Sequence, residues 1–248
     1  MAEHNYTDTA IGIGAGYAVK KYSEQILKKP YSIYLKDYRK KFFNDAENQI
    51  FKQKGFETFT KLGLDKQGIT LIDINPANCD AEFAKLKFKG KLSDYKKAAD
   101  GKQAFFHPAA ESIAVNCDKR ASSIFHEMGH VHNYTAADWK NKLYKVRMLS
   151  KPAAFLALTA GLCTNKDSFF NENCGKLTFA ALTPIIAEEA LASKNGQNMA
   201  KSVLPANLFK KLKAINARSF GSYIFGAIAT SIAAAFAVDV KNRIAQPA

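Results

Sequence analysis

The sequence predicts an α+β fold that is mostly α-helical. Apolar residues recur at helical spacing over long stretches, and the short β-branched segments typical of strands lie between residues 68 and 116. The chain has 248 residues, of which 47% are apolar, so it can bury a substantial core and is not a disordered tail protein. We divide it into a helical region (1–66), a middle region with a small sheet (67–135) and a second helical region (136–248).

The first two regions contain the elements with the clearest local signals. We predict helices at Tyr6–Leu27 and Ser32–Gln53, the second of them amphipathic. A short β-branched segment at Gly68–Ile74 predicts a strand, and Ala104–Phe106 with Ser112–Asn116 predict a hairpin. A further helix is expected to begin after this hairpin, at Lys119, with Asp118 as its cap, and to end near Tyr134.

The third region is almost free of charge in several stretches. Residues 152–164 and 177–187 predict an apolar helical hairpin, and residues 219–238 contain no charge at all. Twenty such residues are long enough for a helix to cross a bilayer, so we predict a membrane helix at 219–238. The alternative is a soluble protein with an alanine-rich core helix, because the other apolar stretches are shorter than a membrane span.

The net charge of +14 predicts an anionic partner. Nucleic acid is the less favoured partner, because the lysines are not clustered with aromatic residues and no recognition motif is present. An anionic membrane surface is the favoured one. The loop between residues 163 and 174 has balanced charge while the flanking regions are basic, which places the basic portion on the cytoplasmic side. Cys163 and Cys174 could form a disulfide there or simply be small apolar residues.

One motif predicts chemistry: His126-Glu127-Met128-Gly129-His130. Two histidines four residues apart on a helix project from one face and can hold one metal ion, and zinc suits imidazole nitrogen. Glu127 flanks that face, where it can act as general base toward a zinc-activated water. The opposite face offers apolar residues that can anchor the helix in a core: Ala121, Ile124, Phe125 and Met128.

This motif after an extended segment resembles the zincin metallopeptidases. The metzincin branch would need glycine and histidine where this chain has Asn133 and Ala136, so that branch is excluded. His132 lies about 200° around the helix from His130 and is expected to point away. The gluzincin branch takes its third ligand from a glutamate on a later helix.

Here the resemblance implies Glu189, chosen over Glu188, as the third ligand. Its helix is expected to begin at Thr183 and Pro184 and to end near Gly196. The order of elements also resembles membrane-embedded peptidases typified by the CAAX prenyl-protein protease and the heat-shock membrane protease. That family usually has aspartate four residues after the ligand glutamate, whereas this chain has Ser193 there.

The resemblance therefore implies a membrane-associated zinc metallopeptidase that acts on peptide or protein substrates. Zn²⁺ would be held by His126, His130 and Glu189, and an extended substrate would pair with Ser112–Asn116 as an edge strand. Tyr134 and Tyr223 are candidates for stabilising the oxyanion. The alternative is a non-catalytic membrane-binding protein with a structural metal or histidine site.

Overall fold

The computed structural model describes residues 6–23, 31, 33–35, 42–86 and 90–244, and these are mostly helical with one small sheet. The helices are α1 (Tyr6–Ser23), α2 (Asp45–Lys61), α3 (Cys79–Lys85), α4 (Leu92–Ala99), α5 (Cys117–Arg120), α6 (Ser123–Thr135), α7 (Trp139–Cys163), α8 (Phe169–Glu172), α9 (Cys174–Lys201) and α10 (Ala206–Ile244). The strands are β1 (Thr70–Asp73), β2 (Phe105–His107) and β3 (Ser112–Val115).

The chain forms two compact units. Unit 1 comprises Met1–Leu35, Leu143–Ala187 and Ser219–Ala248. Unit 2 comprises Lys36–Lys142 and Glu188–Arg218. Unit 2 therefore contains the sheet, the histidine motif and the second half of α9.

The sheet of unit 2 has the strand order β1-β3-β2. β3 pairs with β2 in antiparallel fashion, which confirms the predicted hairpin, and with β1 in parallel. The expectation that Ser112–Asn116 forms an edge strand is wrong, because β3 is hydrogen-bonded on both sides. All four of its residues are buried, as expected for a central strand.

Asparagine side chains define two helix starts that the sequence analysis placed differently. Asn44 and Glu47 form a capping box at the start of α2, which runs to Lys61 and so extends past the predicted end at Gln53. Residues 32 and 36–41 of that predicted helix lie outside the described residues, as do residues 24–27 of the predicted helix Tyr6–Leu27. Asn116, rather than Asp118, caps the short α5, because its side chain accepts a hydrogen bond from the N–H of Lys119.

The motif helix α6 is anchored by its apolar face. Ala121, Ile124, Phe125 and Met128 are all fully buried, as predicted. α6 packs against β2 and β3, and Ile124 also contacts Gly55 of α2. The helix begins at Ser123, after the separate turn of α5, rather than at Lys119. Burial on this side fixes the helix so that its opposite side can present the histidines.

α9 is a continuous helix from Cys174 to Lys201. The predicted start at Thr183 is wrong, because Pro184 lies inside the helix. The predicted end at Gly196 is also wrong, because the helix continues beyond it. A proline removes one hydrogen bond from a helix without always ending it, so the composition suggested a boundary that the tertiary structure does not have.

Small residues bring the helices of unit 1 close together. A Cβ atom at Gly12 of α1 would lie 2.7 Å from the carbonyl oxygen of Ala237 in α10, and one at Gly16 would lie 2.6 Å from the Cβ of Ala237. The predicted apolar hairpin falls on two helices, with residues 152–163 in α7 and residues 177–187 in α9. Leu162, Cys174 and Val238 share one buried cluster. All four cysteines of the chain lie within the described residues and are free.

Among the described residues, two helices are long and apolar enough to cross a membrane. These are α7 (Trp139–Cys163) and α10 (Ala206–Ile244). The second contains the predicted membrane helix at 219–238.

Candidate metal centre

Three side chains from two helices of unit 2 converge on one point. α6 contributes His126 and His130, and α9 contributes Glu189. The two Nε2 atoms lie 3.1 Å apart. Oε2 of Glu189 is 3.2 Å from Nε2 of His126 and 3.4 Å from Nε2 of His130. The structure thus brings together the three residues expected to hold a metal.

The size of this triangle matches the donor spacing of a tetrahedral zinc site. Zinc binds imidazole nitrogen and carboxylate oxygen at about 2.0–2.2 Å, so two donors of a regular tetrahedron lie roughly 3.3–3.5 Å apart. The three observed distances are within about 0.3 Å of that range. One carboxylate and two imidazoles also form a common donor set for catalytic zinc. The residues present therefore fit the ion.

His130 is oriented by a chain of buried polar groups. Its Nδ1 lies 2.9 Å from Oε1 of Glu188, which is fully buried. The amide of Asn133 donates to the same oxygen over 2.9 Å, and Asn195 donates to Oδ1 of Asn133 over 2.7 Å. The carboxylate oxygen accepts from Nδ1, so in the neutral imidazole that a metal ion requires, Nε2 would present its lone pair to the centre.

His126 has a different partner. Its Nδ1 lies 3.1 Å from Oγ of Ser193, and this contact with the ring brings no negative charge. The buried negative charge of the outer partners is on the His130 side, in Glu188.

The electrostatics of the metal-free centre favour a bound cation. Burial lowers the pKa of His130, but the charges and hydrogen bonds of Glu189 and Glu188 outweigh this effect and raise it to about 10. Burial raises the pKa of Glu189, but the charge of His130 and hydrogen bonds from both histidines hold it well below its usual value. The carboxylate of Glu189 therefore stays ionised and attracts a positive charge, either a proton or a metal ion.

Two glycines set the distance between α6 and α9. A Cβ atom at Gly129 would collide with the carbonyl oxygen of Ala192, and one at Gly196 would collide with the carbonyl oxygen of Phe125. Each helix thus has a glycine where the backbone of the other touches it. This pairing was not predicted from the sequence, from which Gly196 was expected to mark a helix end. The sequence feature that could have indicated this close approach is a glycine in the middle of an otherwise helix-compatible segment.

The remaining candidates differ in their placement. Glu127 is buried on α6. His132 is exposed, as predicted for a residue that points away from the centre. Tyr134 lies one turn after His130, and its ring packs against Phe106 with 5.5 Å between centroids. Tyr223 belongs to unit 1, where it is partly exposed.

No protein-family model, no curated protein and no solved structure matches the chain.

Proposed function

We propose that the protein is a zinc-dependent metallopeptidase of the gluzincin type. The observation that carries the proposal is the triangle of His126, His130 and Glu189, whose donor atoms have the spacing of a tetrahedral zinc site. The outer contacts of Glu188 and Ser193 support it, because metal-binding histidines generally donate their second N–H to such partners.

Zinc in such a site polarises a peptide carbonyl and lowers the pKa of water. The protein's own contribution to the reaction is the placement of a base. Glu127 follows His126 directly on the rigid helix α6, and its carboxylate is the proposed acceptor and later donor of the proton that moves from water to the leaving amine. Burial of Glu127 keeps it in a low-dielectric environment, where its interactions with charge are strong.

The proposed substrate is an extended peptide that pairs with β2. This strand lies at the edge of the sheet, and α6 packs against it. An edge strand offers unpaired backbone N–H and C=O groups to an extended chain. β2 therefore replaces β3, the central strand, as the proposed substrate strand.

We place the enzyme in or on a membrane, with its catalytic residues on the cytoplasmic side. The support is the two long apolar helices and the net charge of +14, which favours binding to anionic lipid.

Three variants test the peptidase proposal. We expect His126→Ala to lose the one zinc per chain that the wild type binds, because two of three protein ligands cannot hold it. We expect Glu127→Gln to keep the zinc and to lose peptide hydrolysis by at least roughly 100-fold, the usual contribution of a general base. His132→Ala is the matched control, because this exposed histidine lies on the same helix. Hydrolysis of casein or of membrane-protein substrates by Glu127→Gln at the wild-type rate would contradict the assigned base.

A second function is favoured by the burial of the centre. The side chains of His130 and Glu189 are only 7% and 3% exposed, and that of His126 is 17% exposed. Structural metal sites are closed in this way, whereas catalytic sites keep an open position. A non-catalytic membrane-binding protein with a structural metal would bind zinc through the same residues. In that case neither the wild type nor Glu127→Gln would hydrolyse peptides, and both would bind the same amount of zinc. Removal of zinc would lower the temperature of unfolding.

A further inference from the structure

Unit 1 exposes many of its large apolar side chains and has small residues at several contacts between its helices. Glycine and alanine occupy the contacts between α1 and α10, and alanine, glycine and cysteine recur where α7 and α9 meet α10. Large apolar residues are exposed on the four long helices that the structure describes in this unit: Ile13 on α1, Phe155 and Leu156 on α7, Phe179 on α9, and Ile232 and Phe236 on α10.

This distribution identifies what covers the surface. A soluble protein rarely exposes a contiguous apolar patch of more than a few hundred Å². A protein partner would cover one face of the unit, whereas these residues belong to four different helices. Acyl chains cover every outward face, and small residues are what allows helices to pack closely in lipid.

We propose that unit 1 is a four-helix bundle embedded in a lipid bilayer, with acyl chains against its outward faces. The inference rests on the proposed membrane association and extends it. It adds α1 and the first half of α9 to the two helices whose length and hydropathy already suggest a span.

Polar contacts define one end of this bundle. Nζ of Lys241, near the end of α10, donates to the carbonyl oxygen of Thr164 at the end of α7 over 2.9 Å. Asn242 and Asn171 exchange hydrogen bonds through their amides, at 2.8 and 3.2 Å. Gly12 near the start of α1 also lies against Lys241. We call this the polar end, and it includes the turn at residues 164–173.

The charges at the two ends differ. At and near the polar end the two signs are balanced: Asp8, Asp167, Glu172 and Asp239 against Lys166, Lys176, Lys241 and Arg243. Toward the opposite ends of α1 and α7 the charges are all basic: Lys20, Lys21, Lys145, Arg147 and Lys151. Because cytoplasmic segments are enriched in Lys and Arg, the polar end is assigned to the side away from the cytoplasm.

The exposed large apolar residues of unit 1 form a belt around the bundle, and this belt is short. On α10 it runs from Tyr223 to Phe236, which is about 20 Å along the helix axis. The hydrocarbon core of a typical bilayer is about 30 Å thick. Lys151 lies beside the belt on α7 and can extend its ammonium group toward the lipid surface. Such a bundle is best matched by a thin bilayer.

Cysteine labelling in vesicles tests the proposal. The background is Cys163→Ser, because Cys163 is the exposed cysteine and the other three are buried. Single cysteines are then introduced by Asp167→Cys at the polar end, Lys145→Cys at the opposite end and Ile232→Cys in the belt. With a membrane-impermeant maleimide, we expect Asp167→Cys and Lys145→Cys to be labelled from opposite sides of the membrane. We expect Ile232→Cys to react at least 10-fold more slowly than Asp167→Cys or Lys145→Cys, whichever side of the membrane the reagent is added to.

The double variant Asp167→Cys with Lys145→Cys removes any dependence on vesicle orientation. In sealed vesicles, each molecule should be labelled at one site and never at both, until the membrane is opened with detergent. In intact cells, reagent added outside should reach Asp167→Cys. Recovery of folded protein should also be greater in vesicles of 14-carbon acyl chains than of 22-carbon chains.

Several results would overturn the proposal. One is the finding that the protein stays soluble without detergent and that Ile232→Cys is labelled as fast as Asp167→Cys. Another is a soluble protein in which Ile232→Cys becomes protected only as protein concentration rises, because a second copy would then cover the belt. Labelling of both ends from the same side would exclude a crossing bundle. None of these measurements depends on zinc or hydrolysis, so failure here is distinguishable from failure of the peptidase proposal.

Discussion

Replacing Gly129 with alanine adds one methyl group at the point where α6 touches α9. The new Cβ would collide with the carbonyl oxygen of Ala192, which is the nearest atom, and would lie 2.7 Å from the carbonyl carbon and 3.0 Å from the Cα of that residue. Ordinary contacts of a Cβ begin at 3.4 Å. The two helices must therefore separate by at least about 0.7 Å, which exceeds the roughly 0.5 Å tolerance of a preorganised site. Glu189 would move away from both histidines.

We expect this variant to bind zinc roughly 10- to 100-fold more weakly, the usual cost when the support of a metal ligand is lost. Overpacking costs about 1–3 kcal/mol, and the better helix propensity of alanine returns about 1 kcal/mol of it. The free energy of unfolding should therefore fall by about 0–2 kcal/mol, which leaves the protein folded. Competition with a chromogenic chelator measures the affinity, and thermal unfolding measures the stability.

Gly226→Ala is the matched control. Gly226 also lies within a helix, but a Cβ there would have nothing within 4 Å. Zinc affinity should be unchanged, and stability should be equal or slightly greater. The reasoning is refuted if folded Gly129→Ala binds zinc as tightly as Gly226→Ala does.

The other predictions concern the partner of His126, the metal and an acidic residue away from the centre. Ser193→Ala should weaken zinc binding by roughly 10-fold, since Nδ1 of His126 loses its partner. Chelation should abolish hydrolysis, and added zinc should restore it. Burial raises the pKa of Asp73, but its bonds to Lys52 and to the N–H of Cys117 outweigh this and lower it. Its contribution to stability is therefore complete above about pH 5 and is lost as the pH falls through the lowered pKa. The unfolding temperatures at pH 7 and pH 3 should therefore differ less in Asp73→Asn than in the wild type.

Each of these outcomes has a clear opposite. Equal zinc affinity in Ser193→Ala and wild type would show that the serine contact does not orient the ring. Hydrolysis that persists after complete removal of zinc would exclude the metal from the reaction. For the Asp73→Asn experiment, Asp65→Asn is the control because Asp65 is exposed. If the difference in unfolding temperature between pH 7 and pH 3 became equally small in Asp65→Asn, the effect would not come from the bonds of Asp73.

Local sequence determined the parts of the centre that depend on a single helix. His126 and His130 are four residues apart, so any helix puts them on one face, and the apolar residues on the other face bury it. The hairpin of β2 and β3 was equally predictable, because its two strands are joined by a short turn. The choice of Glu189 over Glu188 came from the resemblance to gluzincins, and the structure places these two carboxylates on the two sides of the same ring, His130.

Tertiary contacts decided what the sequence could not. β3 is central because β1, about forty residues earlier in the chain, pairs with it in parallel. Asn195, Asn133 and Glu188 form one hydrogen-bonded chain to His130, although Glu188 and His130 are 58 residues apart. Hydrophobic periodicity describes only which face of an element is buried, so it is silent about such polar partners.

The sequence by itself therefore determined which residue types could hold a metal and on which helix the histidines lie. Only the tertiary structure decided that α9 continues through Pro184 and Gly196 and lies against α6 at Gly129. The reason is physical: helical spacing is a property of neighbouring residues, whereas the distance between two helices depends on every side chain, or missing side chain, at their contact.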